Sequence, residues 1–356
     1  MTSFPVFALI VHVVTIVMIF GSGVNRKFRP GVGLIAGLVS TYIVCLVSLS
    51  DYEIYAGIYK SIDPNEPFLD QLPFLYGEPL YLLSNYVARL FSDSFYSTRF
   101  LLIFAALAIK MMFLFRFGKH HSVSIVFYMS LLFYADSYLL RSTIASSIVL
   151  IGLWALMNNR PAYQFFVPIL IATGFHTSAL IALPIWLFRN IVISKKLGFF
   201  ILGVIVVLGI FPIGHLMVGF LATYGPSDFQ AVDKLVGYAN QIYGASAGIA
   251  RGSLLIYVSV AIAFIGFRHQ ISKMTPHYDL FATIVLYSLI ILVGLSDFEI
   301  LSDRLFRLIA FLIAIAMGYI VACFDHSARL LVAFTAIFVL NLLPYLTDPG
   351  PFELIK

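Results

Sequence analysis

Four arginines and three proton-active side chains hold most of the chemistry this sequence can offer. The arginines are Arg141, Arg251, Arg304 and Arg307; the others are Asp51, Glu78 and His176. Each arginine stands at the edge of a long apolar run. A guanidinium presents a rigid fork of donors that matches a pair of phosphate oxygens better than a lysine does. Several of them at one membrane boundary suit a lipid-linked diphosphate. A carboxylate or an imidazole beside such a cation can take the proton of an attacking hydroxyl.

Each of these residues also has a plainer reading. A guanidinium inside the apolar slab costs about 2.5–3.5 kcal/mol on insertion scales. A carboxylate such as Asp136, Asp297 or Asp303 would offset that, and so would snorkelling to the headgroups. Arg304 and Arg307 are three residues apart and share a helix face. Asp51, in Ser50-Asp51-Tyr52-Glu53-Ile54-Tyr55, is either a base or an interfacial charge within an aromatic belt. Glu78-Pro79 reads as a helix start, with proline at the first helical position. Its carboxylate either complements the helix dipole or lines a site, with Tyr81 and Asn85 on the same face. His176 stands at the turn between two short apolar runs, where it is a structural hydrogen-bonding residue or a base; His215 competes for that role. His120, His121, His269, His277 and His326 fall on the other side. No Asp-x-Asp and no His-x-x-x-His spacing supports a metal site.

The elements that must position these residues are membrane helices. Of 356 residues, 61% are apolar and 11% charged, against about 25% charged in a soluble domain. Continuous runs of spanning length exclude a β-barrel. Twelve spans are expected, roughly 4–22, 31–50, 97–115, 122–138, 142–157, 161–175, 176–189, 197–216, 252–268, 278–295, 304–323 and 330–346. Residues 161–189 are too few for two full crossings, so a pair of short or tilted helices is expected there. The chain reads as a single all-α, polytopic transmembrane domain over 1–356.

The connecting segments sort by charge. One set holds Arg26, Lys27, Arg29, Arg116, Lys119, Arg160, Arg189, Lys195, Lys196, Arg268, Lys273 and Arg329, which is 12 of 22 basic residues, with only Asp279 and Asp325 among the acids. The positive-inside bias puts that set in the cytoplasm and both termini outside. Asp51, Glu78, Arg141, His176 and Arg304 then share the outer face. No positive charge precedes the first run, which argues against a cleavable signal. Cys45 and Cys323 fall in opposite leaflets and are not expected to pair. The net charge of +5 follows the cytoplasmic segments and makes no case for nucleic acid. Two outer segments are long. Residues 51–96 carry seven acids and seven tyrosines, with prolines that break any long helix and a short amphipathic helix over 80–92. Residues 217–251 are rich in glycine and small residues, with Tyr224, Tyr238 and Tyr243.

The order of these motifs resembles the EpsG-like family, grouped with the Wzy-type polymerases of O-antigen and exopolysaccharide. The resemblance rests on Asp51-Tyr52-x-x-Tyr55, Glu78-Pro79-x-Tyr81-x-x-x-Asn85, Arg141 followed by Ala145, and Phe175-His176-x-Ser178-Ala179-Leu180. It covers about residues 50–180, with Arg304 or Arg307 as a looser late match. Family members often flank the first arginine with glutamines, where this chain has Leu139 and Ser142.

The resemblance implies a metal-independent, GT-C-like glycosyltransferase that needs no cofactor. It would act on the outer face of the bacterial inner membrane, joining oligosaccharide repeat units carried on undecaprenyl diphosphate. Arg141 and Arg304 would hold the diphosphate, helped by Arg307 and Arg251. Asp51 is the first choice of base, ahead of His176 and Glu78. Tyr52, Tyr55, Tyr81 and Asn85 would bind sugar. A flippase and a chain-length regulator are the implied partners. A ligase-type transfer uses the same donor chemistry and stays open. A lipid-linked glycan transporter would place its polar residues near mid-membrane, in matched halves, and no such halves are visible. An acyltransferase using His176 would not need two arginines, and a scaffold would need neither arginines nor acids.

Overall fold

The computed structural model describes residues 52–117, 139–209, 252–296 and 299–324, with scattered positions in 38–48, 123–136 and 353–354. The described chain is helical. Its strand content is one two-residue antiparallel pair, Val47–Ser48 with Glu353–Leu354. The expected spans 4–22, 31–50 and 330–346 fall almost entirely outside the described residues, as do Asp51, His215, Arg251 and most of 217–251. Two compact units emerge. One takes residues 1–183 and 317–356, the other 184–316.

The first unit opens with α1 (Tyr52–Ser61), the four-residue α2 (Phe68–Gln71) and α3 (Pro79–Arg89). The prolines that the sequence places as breakers mark the joints: Pro64 and Pro67 before α2, Pro73 after it, and Pro79 at the start of α3. Pro79 starts α3 because its missing N–H is not needed in the first turn. Gly77, just before it, has φ +148°, a conformation that other residues rarely adopt. α3 buries Tyr81, Leu82 and Asn85 on one face, as the i, i+4 spacing predicts. It is the short amphipathic helix expected over 80–92.

Three helices then form the body of this unit. α4 (Phe95–Phe117) has 23 residues, about 34 Å of helix and enough to cross a bilayer core. α5 (Leu140–Met157) has 18 residues, and α6 (Tyr163–Phe175) only 13. α5 packs on both α4 and α6. The Ser147 hydroxyl donates to the Ala106 carbonyl at 2.9 Å, tying α5 to α4. α6 runs back antiparallel and stops at His176, followed by a 3-10 turn (Thr177–Ala182). The sequence expectation of two short elements in 161–189 is met. Arg116 and Arg160 both lie against the Trp154 ring, at 5.5 and 5.7 Å. They share the end of α5 opposite Arg141, as their common place in the basic set requires.

One close approach fixes the far end of α6. A Cβ at Gly174 would fall 2.5 Å from two side-chain carbons of Leu80 on α3. Gly174→Ala is therefore expected to push α6 off α3, at a cost of about 1–3 kcal/mol. A thermal melt of the purified protein checks this. Leu80→Ala in the same chain should recover most of the loss.

The second unit contains α7 (Ile185–Phe188), α8 (Lys195–Leu208), α9 (Gly252–Gly266), α10 (Arg268–Met274), α11 (Tyr278–Gly294) and α12 (Glu299–Arg307). α11 is its apolar centre and packs against α8, α9 and α12. The next helix, α13 (Phe311–Ala322), runs on into the first unit. By length and hydropathy, α4 and α5 can cross a membrane alone. The pairs α9–α10 and α12–α13 can do so only jointly, bent by 77° and 63°. The expected continuous span 304–323 is thus corrected. Glu299, Asp303, Arg304 and Arg307 form a separate polar helix, and the apolar run begins only after the bend. Driving that many charges into hydrocarbon as one straight helix would cost several kcal/mol.

Candidate functional site

The first unit brings Glu78, Arg141 and His176 together from three elements. Arg141 lies in the first turn of α5, and its Nη1 donates to Glu78 Oε2 at 2.6 Å. His176, at the end of α6, sets Nδ1 3.1 Å from Glu78 Oε1. The Thr177 backbone N–H reaches the same oxygen at 3.4 Å. One carboxylate at the N-terminus of α3 therefore joins residues 63 and 98 positions away in sequence. All three side chains are largely but not wholly buried, at 14–19% exposure, so solvent or a ligand can still reach them.

Tyrosine rings surround the guanidinium. The Arg141 Cζ lies 5.7 Å from the centre of Tyr55, 5.9 Å from Tyr76 and 5.9 Å from Tyr81. Rings around a desolvated cation each contribute up to about 2 kcal/mol. Tyr55 and Tyr81 also meet edge to face. The Arg141 Nε, the Tyr81 hydroxyl and both amide atoms of Asn85 are buried without a well-formed hydrogen bond among the described residues. Burial pushes the Tyr81 hydroxyl well above its ordinary range, with Asn85 acting in the opposite sense.

Electrostatics fix the protonation of this cluster. Burial works to raise the Glu78 carboxyl. The hydrogen bond from His176 and the charge of Arg141 outweigh it and hold the pKa at about 2, below the ordinary 4.5. Glu78 is thus a carboxylate at neutral pH, and an ionised carboxylate only accepts hydrogen bonds. His176 Nδ1 must carry the proton between them. In the neutral ring, Nε2 is left with its lone pair.

The depressed value has a consequence for stability. A group whose folded pKa lies below its unfolded one stabilises above the unfolded value, and loses that effect as pH falls through the folded value. Wild-type protein should lose about 3 kcal/mol of stability between pH of about 5 and 2, relative to Glu78→Gln. Thermal melts of the two proteins across that range test this; parallel curves would refute it.

Most of the other expected site residues take different partners. Tyr52 meets Phe95 at a tilt, ring centres 5.5 Å apart, and lies under the Arg99 guanidinium at 5.1 Å, rather than joining the Arg141 cluster. Arg304 and Arg307 belong to the second unit. Arg307 Nε donates to Asp303 Oδ2 at 2.6 Å, which is the plain reading of that arginine. Arg304 makes no ion pair among the described residues. Asp51 and Arg251 lie outside the described residues, and so does Asp297. Asp136 was expected as a partner for an arginine. It pairs with Lys110 instead, and Arg141 takes Glu78.

Tyr76 and Lys110 were not singled out by the sequence reading. Nothing around Tyr76 marks it, since its role comes from the loop that Gly77 turns. Lys110 did carry a signal, as the one charge in the apolar stretch between Arg99 and Arg116.

No curated protein and no solved structure matches the chain. A family model does, over residues 31–347, nearly the whole length and all the motifs that meet around Glu78. By that match, the chain belongs to the EpsG family.

Proposed function

We propose that this chain, a membrane protein of the polysaccharide-polymerase type by its family, joins oligosaccharide repeat units carried on undecaprenyl diphosphate. The reaction would take place on the outer face of the bacterial inner membrane, with a GT-C-like arrangement of about twelve spans. It would run without metal or nucleotide, because the anomeric diphosphate bond already stores the energy. A flippase would supply the units, and a chain-length regulator would act beside it.

The observation that supports this reading best is the Glu78 carboxylate shared by Arg141 and His176. Glu78 fixes the tautomer of His176 and turns Nε2 into the base. A carboxylate held near 2 is itself too weak a base for the task. His176 therefore replaces Glu78 in the catalytic role, with Asp51 as the other candidate. The acceptor hydroxyl gives its proton to Nε2 while its oxygen bonds to the donor's anomeric carbon. The anomeric carbon–oxygen bond to the diphosphate breaks, and the lipid diphosphate leaves with the electron pair.

Charge follows the reaction. With neutral His176, Arg141 and Glu78 cancel. Once His176 takes the proton, the trio carries one net positive charge as negative charge grows on the leaving group. Arg141 would meet that group with the donors that Glu78 does not use. Tyr52, Tyr55, Tyr81 and Asn85 would contact the sugars.

The test is reconstitution. Purified protein in lipid, given the organism's own lipid-linked repeat unit alone, should yield a ladder of longer glycans. Absence of any ladder, with the unit moved across the bilayer instead, would favour a transporter. A single transfer onto a lipid acceptor without a ladder would favour a ligase.

A further inference from the structure

A second buried charge cluster lies close to Arg141 in sequence and is not used by the chemistry above. Asp136 is 8% exposed and Lys110 2%. Lys110 Nζ donates to Asp136 Oδ2 at 2.6 Å, and the Tyr128 hydroxyl donates to the same oxygen at 2.7 Å. The Thr143 hydroxyl reaches the Asp136 carbonyl oxygen at 3.0 Å and Oδ1 at 3.2 Å. One carboxylate thus receives donors from α4, from the helical residues 127–128 and from the first turn of α5.

Burying an ion pair in an apolar slab is poor value for stability alone. Desolvation of both charges commonly cancels their attraction, and apolar replacements are often as stable. What such a pair does supply is geometry. The N-terminus of α5 needs it, since Leu139 caps the helix with no side-chain bond. Arg141 and Thr143 stand two residues apart in that turn, one bonded to Glu78 and the other to Asp136.

We propose that Asp136, charged and held by Lys110 and Tyr128, is a positioning residue. Through Thr143 it fixes the first turn of α5, and so holds the Arg141 guanidinium in place against Glu78. Its bearing on catalysis rests on the reading given under the proposed function. The positioning itself does not.

The experiment is a double-mutant cycle read by thermal unfolding, with no substrate present. Thr143→Val keeps the shape of the side chain and removes its donor. Glu78→Gln removes the charge that Arg141 meets. The two residues share no hydrogen bond, so independent effects should add. If Thr143 places Arg141 on Glu78, the Tm loss caused by Glu78→Gln falls by about half or more in the Thr143→Val background. Thr143→Ser, which keeps the donor, restores the full loss. Additive losses in the Thr143→Val cycle would overturn the proposal, as would equal behaviour of the valine and serine chains. Should Glu78→Gln fail to fold, Glu78→Asp serves in its place, keeping the charge and withdrawing it from Arg141. Where the wild type makes polymer, Thr143→Val should lower turnover by about tenfold to a hundredfold, with less effect on KM. A wild type that makes none would sink the polymerase reading and leave the cycle intact as a test of positioning.

Discussion

Arg141→Ala cuts chain growth to a small remainder at temperatures where the protein remains folded in the membrane. The expected fall in polymerisation rate is about 10²–10³-fold, the usual effect of losing one donor aimed at developing charge. Arg141→Lys should recover little. The guanidinium is held in one orientation by the bond to Glu78 and by three tyrosine rings. A lysine ammonium has neither the fork nor the flat faces to use that cage. The check is an in vitro ladder assay at a temperature where the alanine chain, destabilised by the unpaired Glu78, is still folded. Polymer of normal length and rate from the alanine chain would reduce Arg141 to a structural residue.

Glu78→Gln has two effects at once. It leaves the Arg141 cation largely buried and unpaired. Breaking a fully buried pair costs about 3–5 kcal/mol, and the partial exposure of this one lowers the figure to about 2–4 kcal/mol. It also frees His176 to take the other tautomer, because an amide can donate where a carboxylate only accepts. Loss of a fixed tautomer alone can cost about 10⁴-fold in rate where His is the base. Chain growth should therefore fall by about 10²–10⁴-fold, a larger drop than the stability loss would cause at a temperature where the variant is folded. Glu78→Asp keeps the charge and should lose less in both measures. If Glu78→Gln loses stability but keeps its rate, the carboxylate only holds Arg141 and the base lies elsewhere.

Much of this site was legible because its residues interrupt patterns. Glu78-Pro79 announces a helix start by the geometry of proline, and the helix begins there. Tyr81 and Asn85 share a face by spacing, and that face is buried. His176 marks the turn between two runs too short to cross, and the structure ends α6 there. Positive-inside counting grouped Arg116 with Arg160, and both meet Trp154. Pairing was not legible. Asp136, Asp297 and Asp303 are all candidate partners for the outer arginines, but distance in sequence says nothing about which carboxylate meets which cation. His176 reaches Glu78 where Gly174 lets α6 lie close on α3, and Gly77 turns the chain just before that carboxylate. Lys110 could have been weighed from sequence, since a lone cation inside an apolar run must find a partner. The bend after Arg307 was hidden by hydropathy windows, which average a polar helix into the apolar one that follows it.

The central claim is that the growing glycan leaves a lipid diphosphate at the cluster built on Glu78, Arg141 and His176. The most direct measurement counts lipid diphosphate released against glycosidic linkages formed, using purified protein and one defined lipid-linked unit. Release in a one-to-one ratio with linkages is predicted for the wild type, and both products fall together by about 10²–10³-fold in Arg141→Ala. Linkages without release, or undiminished release from the alanine chain, would contradict the account.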